Sequence, residues 1–329
     1  MLAASAIEDI SWIKYSLEQT FEMTDLGELQ MFLGLEIQRD RSQRLLSMNQ
    51  ERYIDRILQR HGMQDACASQ TPLDPNTRLQ SHPKTESNIP DTQSNSPEVY
   101  QSAVGSLMYS ILGTRPDIAY SVGLVSQFSH DPQPQHWTAV KRIFRYLVGT
   151  SNYILQYGSS NNTGGYSDAD WGSGHDRRSV GSFVFLANGG AISWASKKQT
   201  SIALSTTEAE YMSMTQAAKE IVWLRVLPDE IGAFKHIDSM SQLHADNQGA
   251  IALARNPEFH ARTKHIDIQY HFVGELVAAE KVNLQYCTSS NMVAEIMTKS
   301  LLRVTHQKHV QAMGIFKQTG SGTLRERGC

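Results

Sequence analysis

The sequence predicts an α/β (α+β) protein with a mixed five-stranded sheet flanked by helices in its second half, preceded by a β-hairpin and a helical region. Three observations lead there. Beyond about residue 160 the segments run three strands, helix, strand, helices, strand, helix, an order that builds a mixed sheet covered by helices. A stretch holding Pro72, Pro75, Pro83, Pro90 and Pro97 among Ser, Asn, Asp and Gln separates that half from the first. The length, 329 residues, suits about two domains at roughly 100–200 residues each.

The elements follow in order. Ile7 to Phe21 reads as an amphipathic helix with Ile10, Ile13 and Leu17 on one stripe. In the next segment Phe32, Leu33, Leu35 and Ile37 are strand-like, with Gly27 suited to a turn and Gly34 to a bulge or a close backbone approach. LLSMNQ is the returning strand, and Tyr53 to His61 is a short helix that Gly62 terminates. Gln64 to Glu98 reads as a linker or long surface loop. Helices are expected over Tyr100 to Leu112, from Pro116 to about Phe128, and over Trp137 to Leu147, where Val140, Phe144 and Leu147 share one side. On that last helix Lys141, Arg142 and Arg145 form a basic strip, either a solvated face or a phosphate contact. In the second half GGYSDADW, VGSFVFLANG and GAISWASK read as strands, the last two joined at Asn188-Gly189-Gly190. A long helix runs from about Thr206 to Leu227. QLHAD is a fourth strand, NQGAIALAR opens a helix, Ile266 to Val277 is helical, KVNLQYCT is a fifth strand and MVAEIMTKSL a last helix.

Composition narrows the function. With 30 Lys and Arg against 33 Asp and Glu the formal net charge is -3, which excludes a histone-like basic polymer. Any nucleic-acid contact must come from local patches. Cys67, Cys287 and Cys329 lie far apart with no CxxC pair, so a cysteine zinc site is not expected and a reducing, intracellular setting fits. No run of about 18 apolar residues suggests a membrane span, and the N-terminus lacks a basic-then-apolar signal pattern.

Carboxylates stand where the apolar pattern predicts inward or edge positions. Asp168 and Asp170 share a face of the first strand of the second half, because strand side chains alternate. Asp246 closes the fourth strand, and Glu295 lies between Ala294 and Ile296. Of the two glutamates opening the long helix, Glu208 completes a capping box with Ser205. Glu210 instead heads the stripe Met214, Ala217, Ile221 and Leu224, and so points at the sheet. A carboxylate there needs a partner. No arginine or lysine shares the stripe, and a metal ion is the natural compensation. Two divalent cations about 4 Å apart can clamp an in-line phosphoryl displacement, and hard oxygen ligands suit magnesium or manganese.

The motifs YSDADW, RRSVGSFVF, AISWASKKQ, ALSTTEAEY, AAKEIVWLR, HADNQGAI and KHIDIQYHF closely resemble the ribonuclease H domain of copia-type LTR retrotransposon Pol polyproteins. FEMTDLGELQMFLGLEI is similar to the end of the reverse transcriptase palm with its primer-grip hairpin. VGSLMYSILGTRPDIAYSV and HWTAVKRIFRYLVGT are similar to the thumb and connection helices. The resemblance implies a palm remnant over 1–63, a linker over 64–98, a helical thumb and connection over 99–158, a ribonuclease H-like domain over 160–317 and a tail over 318–329. It implies cleavage of the RNA strand of RNA–DNA hybrids, with Asp168, Glu210 and Asp246 as metal carboxylates and Glu295 in the place of a fourth that is normally aspartate. Two Mg2+ ions, with Mn2+ as a substitute, are the expected cofactors. The expected partners are an RNA–DNA hybrid and intact reverse transcriptase or other Pol and Gag products, with no membrane, and the family's habit implies the cytoplasm and then the nucleus. Lys197 and Lys198, beside Trp194, join Lys141, Arg142 and Arg145 as candidate hybrid contacts, the other reading being a core tryptophan with solvated lysines.

Departures from the family pattern bear on activity. No adjacent Asp-Asp pair occurs, and Met1 falls just after the place where the polymerase pair is expected, so this polypeptide alone should not polymerise DNA. WGSGHDRRS is one residue shorter than the usual form, and Pro228 interrupts or stops the long helix. Two alternatives stay open: a decayed remnant that folds or binds nucleic acid without cleavage, and an integrase-type nuclease built on Asp168, Asp246 and Glu295, for which Glu210 has no use. His260, His265 and His271 do not share one helical face and are read as structural or surface residues.

Overall fold

The computed structural model describes residues 6–80, 96–158, 160–172, 176–230, 241–256 and 267–318. It is a mixed α/β structure with two five-stranded sheets among the described residues. Helix α1 (Ile7–Thr20) leads into strands β1 (Met31–Phe32), β2 (Leu35–Asp40) and β3 (Leu45–Asn49), and helix α2 (Glu51–Arg60) follows. The expected single strand around Gly34 is instead two strands. Leu33 and Gly34 both take left-handed backbone angles, φ 48° and 76°, and turn the chain so that Phe32 pairs with Leu35. Helices α3 (Pro97–Gly113), α4 (Ala119–Ser126) and α5 (Pro134–Thr150) then pack on α2, with Ile54, Leu107, Val122, Ile143 and Leu147 in their shared core.

The segment expected to be a linker is not a free loop where it is described. Thr71, Pro72 and Leu73 are buried, and Leu73 belongs to the helical core. Just past α3, Arg115 and Asp117 form a wholly buried ion pair. The guanidinium donates to both Asp117 oxygens at 2.9 and 2.7 Å, and to the Thr150 carbonyl and hydroxyl at 2.9 and 2.7 Å. Tyr146 donates to Asp117 at 2.7 Å. Every charge in the pair is thereby hydrogen-bonded, the condition for keeping it in a dry core.

The second sheet has the order β7-β6-β5-β8-β9, from β5 (Gly164–Asp170), β6 (Val180–Ala187), β7 (Gly190–Lys198), β8 (Gln242–Ala245) and β9 (Asn283–Tyr286). Strands β5, β6 and β7 are antiparallel, whereas β5, β8 and β9 run parallel. The β6–β7 turn is made by Asn188 and Gly189, both left-handed (φ 49° and 83°), as the Asn-Gly signal predicts. Helix α6 (Thr206–Glu230) lies on this sheet with α7 (Gln248–Arg255) and α8 (Asp267–Ala278). Met214, Ala217, Ile221 and Leu224 are all buried there, which is why the apolar stripe forms a helix at this place. Pro228 does not end α6, which runs on to Glu230.

Three features of the C-terminal part were not anticipated. Val293–Met297 is a 3-10 turn rather than an α-helix. The last helix is α9 (Arg303–Ala312). A strand β10 (Ile315–Lys317) then returns to the first sheet and pairs with β4 (Tyr153–Tyr157), giving the order β1-β2-β3-β4-β10. Leu155, Leu186, Met297, Val310 and Ile315 share a third core that welds the two sheets together. Glycine is required at that seam. A Cβ at Gly190 would lie 2.6 Å from the Gln156 carbonyl oxygen, and one at Gly314 (φ 78°) 2.5 Å from the Gly189 carbonyl oxygen.

Candidate metal centre

Register and helix packing bring three carboxylates together. Strands β5 and β8 are parallel with Tyr166 opposite His244, so two residues further on Asp168 comes level with Asp246. Chain direction diverges at this point, since β6 lies on one side of β5 and β8 on the other, and such crevices beyond the carboxyl ends of strands are where open α/β sheets bind ligands. Glu210 reaches the same spot from the first turns of α6. Its helix is fastened to the sheet by Ser213, whose Oγ lies 2.8 Å from the carbonyl oxygens of both Asp168 and Ser182 and accepts from the Ser182 N–H at 3.1 Å. Asp168, Glu210 and Asp246 each offer an oxygen within 4.8 Å of the others.

The cluster is dry on two sides. Asp168 is 4% exposed and Glu210 6%, while Asp246 is half-buried. Glu210 Oε1 accepts from the Ala169 N–H at 3.2 Å, but the buried Oε2 has no hydrogen-bond partner among the described residues. Asp246 accepts from the Ser289 hydroxyl at 2.7 Å, and Asp168 accepts from the Thr298 hydroxyl. Burial pushes the Asp168 carboxyl up to about 6, against the Thr298 hydrogen bond that favours its charge. Burial, reinforced by the charges of Asp168 and Asp246, pushes Glu210 up to about 9. A buried carboxylate oxygen without a donor, beside two further carboxylates, is a donor set of hard oxygens that fits a divalent cation.

Glu295, the fourth expected carboxylate, is not brought into this group. One methylene longer than aspartate and set on a 3-10 turn, its Oε1 is 2.9 Å from Lys299 Nζ and its Oε2 3.3 Å from His309 Nε2. Burial opposes its charge, yet the hydrogen bonds from His309 and Lys299 hold Glu295 below the ordinary glutamate value. Asp170 stands on the face of β5 that carries Asp168, outside the cluster. Glu208 is a cap: its N–H donates to Ser205 Oγ at 3.2 Å, and its own carboxylate accepts from the Leu204 N–H, one residue before the amide expected for the capping box.

The basic candidates divide. Arg142 lies 3.1 Å from the Thr71 hydroxyl and 3.9 Å from Asp74, and Arg145 donates to the Cys67 carbonyl at 2.7 Å. These two fasten the 67–74 segment onto α5 and do not form an open strip with Lys141, which is exposed. Lys198 is committed to Gln127 at 2.9 Å and Asp176 at 2.8 Å, whereas Lys197 is exposed. Trp194 donates to the Ile111 carbonyl at 3.1 Å, so it is a packing residue between the halves. His260 and His265 lie outside the described residues. Residue-by-residue reading passed over Thr298 and Lys299, although the Glu-to-Lys spacing of four is a recognisable signal. His309 carried none, because α9 itself was not anticipated.

Residues 1–75 match the family model described as reverse transcriptase (RNA-dependent DNA polymerase). The chain is 41% identical over 296 residues, 89% of its length, to the retrovirus-related Pol polyprotein from transposon TNT 1-94 of Nicotiana tabacum, covering 22% of that protein. It is 35% identical over 315 residues, 94% of its length, to the retrovirus-related Pol polyprotein from transposon RE2 of Arabidopsis thaliana, covering 21% of that protein. It is also 51% identical over 130 residues, 39% of its length, to secreted RxLR effector protein 161 of Plasmopara viticola, 92% of which is covered. The chain thus spans about a fifth of the length of the two Pol polyproteins.

Proposed function

This chain belongs to the family of copia-type retrotransposon Pol polyproteins, and from that premise we propose that its second half is a metal-dependent ribonuclease H cutting the RNA strand of RNA–DNA hybrids. The observation that carries the reading is the convergence of Asp168, Glu210 and Asp246, with Glu210 Oε2 buried and unpartnered. The sheet order, with one antiparallel trio extended by two parallel strands, agrees with a ribonuclease H-like fold.

Asp168 and Asp246 from parallel strands and Glu210 from α6 would hold magnesium or manganese. When bound, such ions supply an activated water and stabilise the leaving oxygen of an in-line phosphodiester hydrolysis. The chain's own part is positional. Thr298 and Ser289 aim Asp168 and Asp246, the Ala169 amide aims Glu210, and burial keeps competing water from two of the three carboxylates. The hybrid would be recognised by shape, 2′-hydroxyls and phosphates rather than by base sequence. The exposed Lys197 is a candidate phosphate contact. Glu210 inside the group and Glu295 outside it favour this reading over an integrase-type nuclease, which would need the reverse.

The test uses the full chain with an end-labelled RNA–DNA hybrid in magnesium and then manganese, beside an Asp168→Asn control. RNA cleavage in the hybrid only, lost in the control, supports the proposal. No cleavage by folded protein in either metal identifies instead the relic that folds without catalysis.

A further inference from the structure

A cavity of about 250 Å³ opens on the seam between the two halves, lined by α5 and β4 from one side and by α9 and β10 from the other. It stands apart from the metal centre. At about 100° per residue, Gln307 and Gln311 project from the face of α9 opposite to His309, the residue that meets Glu295. The polar groups of the lining fall into two sets. The Tyr146 hydroxyl is committed to Asp117, the Thr150 hydroxyl to Arg115 and the Tyr146 carbonyl, and the Ser69 hydroxyl to the Thr71 carbonyl. The side-chain amides of Gln70, Gln307 and Gln311 have no hydrogen-bond partner among the described residues. Lys317 carries the one charge among the lining residues, and no carboxylate is among them. Behind the Tyr153 ring stands a cation. Arg115, wholly buried and outside the lining, holds its guanidinium 5.5 Å from the Tyr153 centroid and 5.4 Å from that of Tyr146. A cation on one face of an aromatic ring draws electron density toward it, which suits the other face to an electron-rich base.

We propose that this cavity binds one unpaired adenine nucleotide, with the base stacked on Tyr153, its edge read by the Gln307 and Gln311 amides, and the phosphate met by Lys317. The volume falls below the roughly 300–1,000 Å³ of pockets for drug-sized ligands, and suits one nucleoside rather than a base pair. A primary amide offers a donor and an acceptor side by side, the complement of adenine N6 and N7. Stacking on an aromatic ring with hydrogen bonds to the exposed base edge is how proteins hold unpaired bases. A lining with a lysine and no carboxylate accepts a phosphate, which the three carboxylates of the metal-free centre would repel. The site calls for no metal and does not rest on the ribonuclease reading. A free nucleotide and an unpaired base of a single strand share this chemistry.

Calorimetric titration of the full chain in chelator tests this, with AMP and a short oligoadenylate as ligands and UMP and oligouridylate as comparisons. Wild type is expected to bind the adenine ligands and to hold the uracil ones on the order of tenfold more weakly, having lost the paired amide contact. Joint replacement Gln307→Leu and Gln311→Leu, which leaves the core untouched, should weaken adenine binding on the order of tenfold. Tyr153→Leu should cost a similar factor through lost stacking, with thermal unfolding confirming that this variant folds. Asp168→Asn should leave adenine binding unchanged, because the metal centre takes no part. AMP binding as tight as that of the oligomer assigns the cavity to the free nucleotide, whereas binding of the oligomer alone assigns it to an unpaired base within a strand. No binding of either adenine ligand by folded wild type overturns the proposal. Adenine binding that the double glutamine variant leaves unchanged, or that the uracil ligands equal, overturns it as well.

Discussion

Replacing Glu210 by glutamine should stabilise the metal-free protein. Glu210 is 6% exposed, has one oxygen without a partner and faces two other carboxylates, and burial with their repulsion raises it from 4.5 to about 9. An unfolded chain at neutral pH leaves this group ionised, whereas the folded chain must protonate it. At about 1.4 kcal/mol per pH unit between the unfolded value and neutrality, folding with Glu210 in place costs about 3 kcal/mol at pH 7. Glutamine keeps the shape, removes the charge and can donate to Asp168 or Asp246. The melting temperature in chelator should therefore rise by roughly 4 °C for a chain of this size. The sign with pH is fixed: a carboxyl raised in the folded state destabilises increasingly as pH climbs above the unfolded value, so the gain should shrink toward pH 4.5 and grow toward pH 9. Saturating magnesium should stabilise wild type by about 2.7 kcal/mol at a hundred times its dissociation constant and leave the glutamine variant nearly unmoved. Thermal unfolding in chelator and in magnesium at several pH values measures all of this. A glutamine variant less stable than wild type in chelator at pH 7, or a gain that does not vary with pH, would refute the account of the cluster.

Other expectations follow from the packing. Arg115→Met leaves Asp117 charged in a core with its main partner gone, and should cost about 3–5 kcal/mol by denaturant unfolding. Thr298→Val removes the buried donor to Asp168 and should cost about 1–3 kcal/mol while weakening Mn2+ binding, read by titration calorimetry. Lys197→Ala should lower the salt dependence of hybrid binding by about one unit of slope, measured by fluorescence anisotropy across salt concentrations. Arg142→Ala and Arg145→Ala should leave that slope unchanged and instead open residues 64–74 to limited proteolysis.

Much of the second half could be read locally because its signals are local. The Glu210 stripe is helical periodicity within one element, and the Asn188-Gly189 turn is written in two residues. Glu210's inward aim, the decisive feature of the centre, followed from spacing alone. What escaped depends on partners far along the chain. Ile315–Lys317 is three residues long and becomes a strand only because Tyr153–Tyr157 offers it an edge. Leu33 occupies a left-handed turn position that leucine does not announce. Arg142 and Arg145 resemble a phosphate-binding strip in sequence, since the hydroxyl and carbonyl that claim them belong to a segment with no regular pattern. Glu295 was placed with the metal carboxylates by resemblance, and only the positions of Lys299 and His309 show what else can claim it.

The return of β10 to the first sheet has a consequence for synthesis. Leu155 waits for Ile315, 160 residues later, before β4 is covered on its outer side. At translation rates of about 5–20 residues per second, that leaves an open strand edge for roughly 10–30 s on each nascent chain. During that interval the half-built sheet is a template for strands from neighbouring polypeptides, and the second half must emerge and fold before the first is sealed. Yield on expression should thus be governed by how fast the C-terminal strand arrives, and slower elongation would favour chaperone dependence and aggregation over native closure.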